Sequence, residues 1–120
     1  MVGIDLIEVA RIEFSESFMN RIANESEIEY IKKSKCESLQ KQRLASLFCV
    51  KEAVVKALGT GVSKGVTFKE IILFHDENGK PFVELMGNSQ QIFNDRFYGK
   101  HIHISISHTE NYATAIAMIN

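Results

Sequence analysis

The chain has 120 residues, 45% of them apolar and 24% charged, with a formal net charge of −1. That describes a single globular domain over residues 1–120 with a small core, and it carries no global basic field for nucleic acid. No apolar run approaches the about 20 residues of a membrane helix, and the two cysteines and four histidines lack structural-zinc spacing.

The N-terminus carries acids early and lacks the basic start and apolar run of a signal peptide. With no sign of disulfides, a reducing cytoplasm fits.

In chain order, residues 2–7 are apolar except for Asp5 and read as a buried strand, followed by a short helix over 8–12. Residues 24–33 predict a helix capped at Asn24 or Ser26. Residues 38–58 predict the strongest helix, apolar around most of its cylinder and therefore central, and Gly59 ends it.

Residues 67–74 read as a strand, the Asn78-Gly79 turn as a hairpin, and residues 81–86 as the returning strand with the only proline at its start. Residues 89–97 predict a short amphipathic helix, with Phe93, Phe97 and Tyr98 as core or rim aromatics. Residues 101–108 alternate Ile102, Ile104 and Ile106 with His101, His103, Ser105 and Ser107, the pattern of a half-buried strand. Residues 112–119 form a last small, apolar strand. The expected fold is α+β, an antiparallel sheet packed on a long central helix.

Four places carry chemistry. Asp5 is a carboxylate in an apolar strand, costly to bury unless paired or bound to a cation; it is either a cation ligand or a strand-end acid capping a helix. Glu52 and Lys56 stack on one helical face, as an exposed salt bridge or as part of an anion site. Should Asp5 and Glu52 converge, two carboxylates and water make the oxygen-rich site that magnesium prefers, usually completed by phosphate oxygens.

The Gly59-Thr60-Gly61 turn offers backbone N–H groups to an anion or simply closes the helix. Ser105, Ser107 and His108 offer further donors, or form the polar outer face of an edge strand. Ser107 and His108 are adjacent on a strand and so face opposite ways, which speaks against a nucleophile–base pair. His75 reads as a loop histidine. Arg11, Arg21, Lys32, Lys33, Lys35, Lys41 and Arg43 crowd the first 43 residues, either as a patch for an acidic partner or as a solvated surface with interspersed acids.

Three segments in order, GIDLIEVARI (3–12), FCVKEAVVKALGTG (48–61) and IHISISHTENYATAIAMI (102–119), resemble the holo-acyl-carrier-protein synthases, the small stand-alone phosphopantetheinyl transferases. The resemblance runs from one end of the chain to the other. It implies a magnesium-dependent transfer of the phosphopantetheine arm of coenzyme A to a serine of apo acyl carrier protein, releasing adenosine 3′,5′-bisphosphate, in fatty acid biosynthesis.

It further implies Asp5 and Glu52 as magnesium ligands and Lys56 on the diphosphate. Thr60, Gly61, Ser107 and His108 would bind other phosphate groups, Lys80 and Pro81 the adenosine, and Arg11 the acidic carrier protein. A homotrimer with sites at subunit interfaces is implied too. Glu52 or a metal-bound water is the candidate base.

Three departures stand out. Leu47 occupies a position where the family usually has arginine, and Arg43, one turn earlier, is the candidate replacement. Cys49 and Val50 replace smaller residues, and the first motif begins almost at Met1, implying a short opening strand. Leu47 also keeps open a non-catalytic module that binds coenzyme A or a nucleotide. A small hydrolase cleaving a diphosphate with water is a third reading.

Overall fold

The structure, a computed structural model, describes residues 1–61 and 65–120. Strand β1 (Val2–Glu8) enters a single 3₁₀ turn (Val9–Arg11), then helices α1 (Glu16–Ile22), α2 (Glu25–Lys32) and α3 (Glu37–Leu58). A second 3₁₀ turn (Phe68–Glu70) leads to β2 (Ile71–His75) and β3 (Pro81–Leu85), then α4 (Gly87–Arg96), β4 (Ile102–His108) and β5 (Tyr112–Ile119). The expected α+β class is observed.

Strands β1, β5 and β4 form one antiparallel sheet in that order, and β2 and β3 form a separate hairpin. All seven residues of β1 pair with β5, from Val2 opposite Met118 to Glu8 opposite Tyr112. Helix α3 lies along the inner face of the sheet. The inner positions of β5 are Ala113, Ala115 and Ala117, all buried; Cys49 of α3 gives its thiol to the Ala113 carbonyl at 3.4 Å, and Ala53 and Ala57 press against Gly3 of β1. Small residues on both sides bring helix and sheet axes close together.

Two elements depart from expectation. Helix α1 was not anticipated; Ser15 caps it by accepting a hydrogen bond from the Phe18 N–H at 3.1 Å. Residues 68–70 turn as 3₁₀ where a strand was expected, so β2 begins only at Ile71.

A buried ion pair ties the helices to the hairpin. Lys51, fully buried, donates to Glu27 Oε1 at 2.8 Å, the Ile22 carbonyl at 2.7 Å and the Phe68 carbonyl at 2.9 Å. Glu27 also accepts the N–H of Asn24 and of Leu73. Burial pulls the Lys51 ammonium below its usual pKa, and Glu27 opposes the fall. All three ammonium donors are used, which is what makes such burial tolerable.

Candidate active site

Helix α3 is enclosed almost completely over its second half. Across residues 44–58 every side chain is buried except Phe48, Glu52 and Lys56. These three are spaced by four residues and therefore form one stripe, the helix's only window to solvent there. Asp5 faces the same window from β1, on the helix side of the sheet with Gly3 and Ile7.

The groups interact. Lys56 Nζ donates to the Ile4 carbonyl at 2.9 Å and to Asp5 Oδ1 at 3.2 Å. The Lys56 side chain is about half exposed and that of Asp5 mostly covered. Thr114 Oγ1 donates to the Asp5 carbonyl at 2.7 Å, fixing the strand beneath the carboxylate. Burial first, and the Asp5 charge second, push the Glu52 carboxyl above its usual pKa, with Lys56 opposing. The same surroundings push the buried Cys49 thiol up to about 12. Asp5 and Glu52 thus feel each other's charge.

Gly3 makes this arrangement possible. A Cβ there would lie 2.7 Å from the Ala57 nitrogen and 2.8 Å from Lys56 Cβ, and would also collide with the Ala53 carbonyl. Only glycine lets β1 approach α3 this closely. Gly3 stands in the first motif, yet its role is invisible without the helix that presses on it.

The donor set suits a hard divalent cation. Two carboxylates in a partly dehydrated site repel each other until a cation joins them, and two protein oxygens leave places for water and phosphate oxygens. Among the described residues no cluster of three or more His, Cys, Asp or Glu that could hold a metal ion is present.

The turn after α3 is partly a cap. Gly59, in the left-handed region at φ 78°, gives its N–H to the Val55 and Lys56 carbonyls, so that N–H is not free for an anion. Thr60 is buried, and its hydroxyl has no hydrogen-bond partner among the described residues. Gly61 is exposed, also with positive φ.

A second region lies beside the N-terminal half of α3. Pro81 and His108 share a cavity of about 200 Å³ with Arg43, Ser46, Leu47 and His75. His108 faces the helix side of the sheet, and its Nδ1 lies 3.0 Å from Gln42 Oε1. Ser107 is exposed on the outer face, opposite Thr114 in register, so the structure does not bring Ser107 and His108 together.

Lys80 is exposed in the hairpin turn; its N–H and that of Asn78 both bond Asp76 Oδ1. His75 ends β2 instead of lying in the loop. Arg11 is exposed and pairs with Glu8 at 3.6 Å, while Arg21 and Lys32 have acidic partners in Glu13 and Glu16. These basic side chains therefore sit among interspersed acids.

The family model described as the 4′-phosphopantetheinyl transferase superfamily matches residues 1–117. The chain belongs to this superfamily. The holo-[acyl-carrier-protein] synthase of Vibrio campbellii is 42% identical over 120 residues, covering 95% of this chain and 91% of that protein. That of Protochlamydia amoebophila is 38% identical over 122 residues, covering 98% and 94%.

Among solved superfamily structures, the Bacillus anthracis synthase in complex with CoA (3′,5′-ADP) has a TM-score of 0.81 and 35% identity, covering 98% of this chain and 93% of that one. The Helicobacter pylori synthase in complex with coenzyme A has a TM-score of 0.83 and 29% identity over the whole of both chains. The phosphopantetheinyl transferase fold is therefore shared from end to end.

Proposed function

We infer that this chain transfers the phosphopantetheine arm of coenzyme A to a serine of apo acyl carrier protein, as a holo-acyl-carrier-protein synthase of fatty acid biosynthesis. The observation that carries this reading is the single open stripe of α3, where Glu52 and Lys56 meet Asp5 of β1. In the reaction the serine oxygen forms a bond to the phosphorus of the phosphopantetheine phosphate. The bond from that phosphorus to the bridging diphosphate oxygen breaks, adenosine 3′,5′-bisphosphate leaves, and the serine proton goes to a base.

Such a displacement needs alignment and charge neutralisation more than a protein nucleophile. Asp5 and Glu52 would hold Mg²⁺, which when bound supplies positive charge to the diphosphate oxygens. Lys56 brings a second positive charge, docked in advance by the Ile4 carbonyl, so little reorganisation is needed when negative charge develops. Glu52, on the open stripe of α3 beside Lys56, is this chain's candidate to take the serine proton. The backbone of Thr60 and Gly61 and the donors of Ser107 and His108 would serve other phosphate groups, with Lys80 and Pro81 at the adenosine.

Further support concerns assembly and partners. Val2, Ile4 and Leu6 of β1, with Ile116 and Met118 of β5, expose an apolar band on the outer face of the sheet. A homotrimer burying this band would complete a cleft that so small a domain cannot enclose alone. Exposed Arg11 is available to the acidic carrier protein. Both cysteines are free, Cys36 exposed and Cys49 buried, which supports a cytoplasmic setting.

The test is the intact mass of apo acyl carrier protein after incubation with coenzyme A, Mg²⁺ and the enzyme. Addition of one phosphopantetheine, abolished by Asp5→Asn or Glu52→Gln in folded protein, is the expected result. No mass gain on a competent carrier removes the reading, and release of adenosine bisphosphate without any acceptor indicates a hydrolase instead.

A further inference from the structure

The outer face of the sheet carries an imidazole pair that the transfer reaction does not use. His101, at the mouth of β4, and His103 within it stand two residues apart. Side chains alternate sides along a strand, so both rings project from the same face. Both residues are exposed, and their ring centroids lie 6.5 Å apart.

The backbone beneath the pair is fixed. The His101 N–H donates to the Asn120 carbonyl at 2.8 Å, and the Asn120 N–H donates to the His101 carbonyl at 3.1 Å. His103 sits opposite Met118 in the same ladder. Neither ring belongs to the core, and neither makes a hydrogen bond or an ion pair among the described residues. Both are therefore free to turn about χ1 and χ2. A metal–imidazole bond is about 2.0–2.1 Å long. Rotation of the two rings toward each other brings one nitrogen of each onto a common ion, with no movement of the ladder.

The rest of the face selects the kind of ion. The outward side chains of β4 after the pair are Ser105 and Ser107, and those opposite on β5 are Met118, Ile116 and Thr114. No carboxylate stands among them. Hard cations such as Mg²⁺ take oxygen ligands, so they have little to hold here. Imidazole nitrogens suit Cu²⁺, Ni²⁺ and Zn²⁺, and affinity for such donors peaks at Cu²⁺. The exposed Met118 thioether, across from His103, adds a soft neighbour without charge. β4 is the edge strand farthest from β1, so the pair borders the apolar band instead of lying at its centre.

We propose that His101 and His103 form a two-point chelate for a first-row transition-metal ion, with Cu²⁺ the strongest binder, separate from the Asp5–Glu52 pair. Water completes the coordination. The protein then sorts cations by donor chemistry: oxygen ligands where α3 meets β1, nitrogen ligands on β4. The chelate does not depend on the transferase reading.

The test titrates the purified protein with Cu²⁺ near neutral pH and follows binding by calorimetry and by electron paramagnetic resonance. The wild type should bind Cu²⁺ with two equatorial imidazole nitrogens, and a large excess of Mg²⁺ should not displace it. His101→Ala and His103→Ala should each weaken binding roughly 100-fold, because the second ring binds at the high effective concentration that the strand provides. Each variant should leave a single nitrogen in the spectrum. Asp5→Asn should keep the wild-type affinity. His103→Gln carries the same comparison should the alanine variant melt early.

Unchanged Cu²⁺ affinity in the double variant His101→Ala/His103→Ala overturns the assignment. So does a copper spectrum without imidazole nitrogens, or displacement of Cu²⁺ by Mg²⁺.

Discussion

Lys56 reaches across from α3 to β1 and sets its ammonium 3.2 Å from Asp5 Oδ1 and 2.9 Å from the Ile4 carbonyl. The pair is partly solvated, so it adds little to stability. Its value lies in placing a cation beside the acid before any substrate arrives. Lys56→Ala should therefore lower kcat by roughly 10²- to 10³-fold, typical of losing one preorganised charge-stabilising donor. The melting temperature should barely move. Steady-state kinetics beside a thermal melt separate the two effects.

Gly3→Ala is expected to do the reverse of a surface change. The new methyl has no room against Ala57, Lys56 and the Ala53 carbonyl, so β1 must move away from α3. Overpacking of this kind costs about 1–3 kcal/mol, and more where backbone is the obstacle. Asp5 moves with its strand, so activity should fall beyond what the loss of folded protein explains. Urea unfolding and activity per folded molecule are the measurements.

Lys51→Met should be among the most destabilising single changes, by about 3–5 kcal/mol, because it leaves Glu27 charged and buried. Pairing it with Glu27→Leu should recover part of the loss. Full recovery is not expected, since the N–H groups of Asn24 and Leu73 and the carbonyls of Ile22 and Phe68 would lose their partners. Chemical denaturation of the single and double variants checks this.

The pH dependence has two opposing parts. Glu52 has a raised pKa in the folded state, so its contribution to stability is fully present below its ordinary 4.5 and is lost as pH rises through the folded value. Glu52→Gln, which mimics the protonated form, should thus raise the melting temperature of the metal-free protein at neutral pH, and the gain should vanish near pH 4. His75 goes the other way. Burial first and Arg43 second depress its pKa below 6.5, so the unfolded chain takes the proton first and stability falls as pH drops below 6.5. His75→Gln should flatten that slope. Melts across pH 4–8 resolve both.

Cysteine reactivity follows from the same electrostatics. Cys49, buried beside Asp5 and Glu52 with its pKa pushed up to about 12, stays a thiol at neutral pH. Iodoacetamide should label only exposed Cys36 in the native protein and both cysteines in denaturant, as read by peptide mass.

Much of this was legible in the sequence, for reasons that differ by element. Helix α3 announced itself through its length and all-round apolarity, β4 through the period-two alternation of isoleucines, and the hairpin through Asn78-Gly79. Glu52 and Lys56 were linked by spacing alone. Asp5 joined them only through the resemblance, since nothing local says which helix β1 will meet. Helix α1 was missed because its one strong signal, the Ser15 cap, opens just seven residues.

Gly3, Cys49 and Thr114 belong to the site through contacts across 50 or more residues, which no local pattern records. The same is true of Arg43: sequence marks it as a spare cation one turn before Leu47, while its stack with Tyr30 and His75 depends on how α2, α3 and β2 converge.

The central claim is that Asp5 and Glu52 share one divalent cation with the diphosphate of coenzyme A. A crystal grown with coenzyme A and Mn²⁺ in place of Mg²⁺ tests it most directly, through the anomalous signal of the metal. The account predicts one peak bonded to both carboxylates and to a diphosphate oxygen, with Lys56 on the diphosphate. Coenzyme A bound with no metal between these two residues, or with the metal held elsewhere, would contradict it.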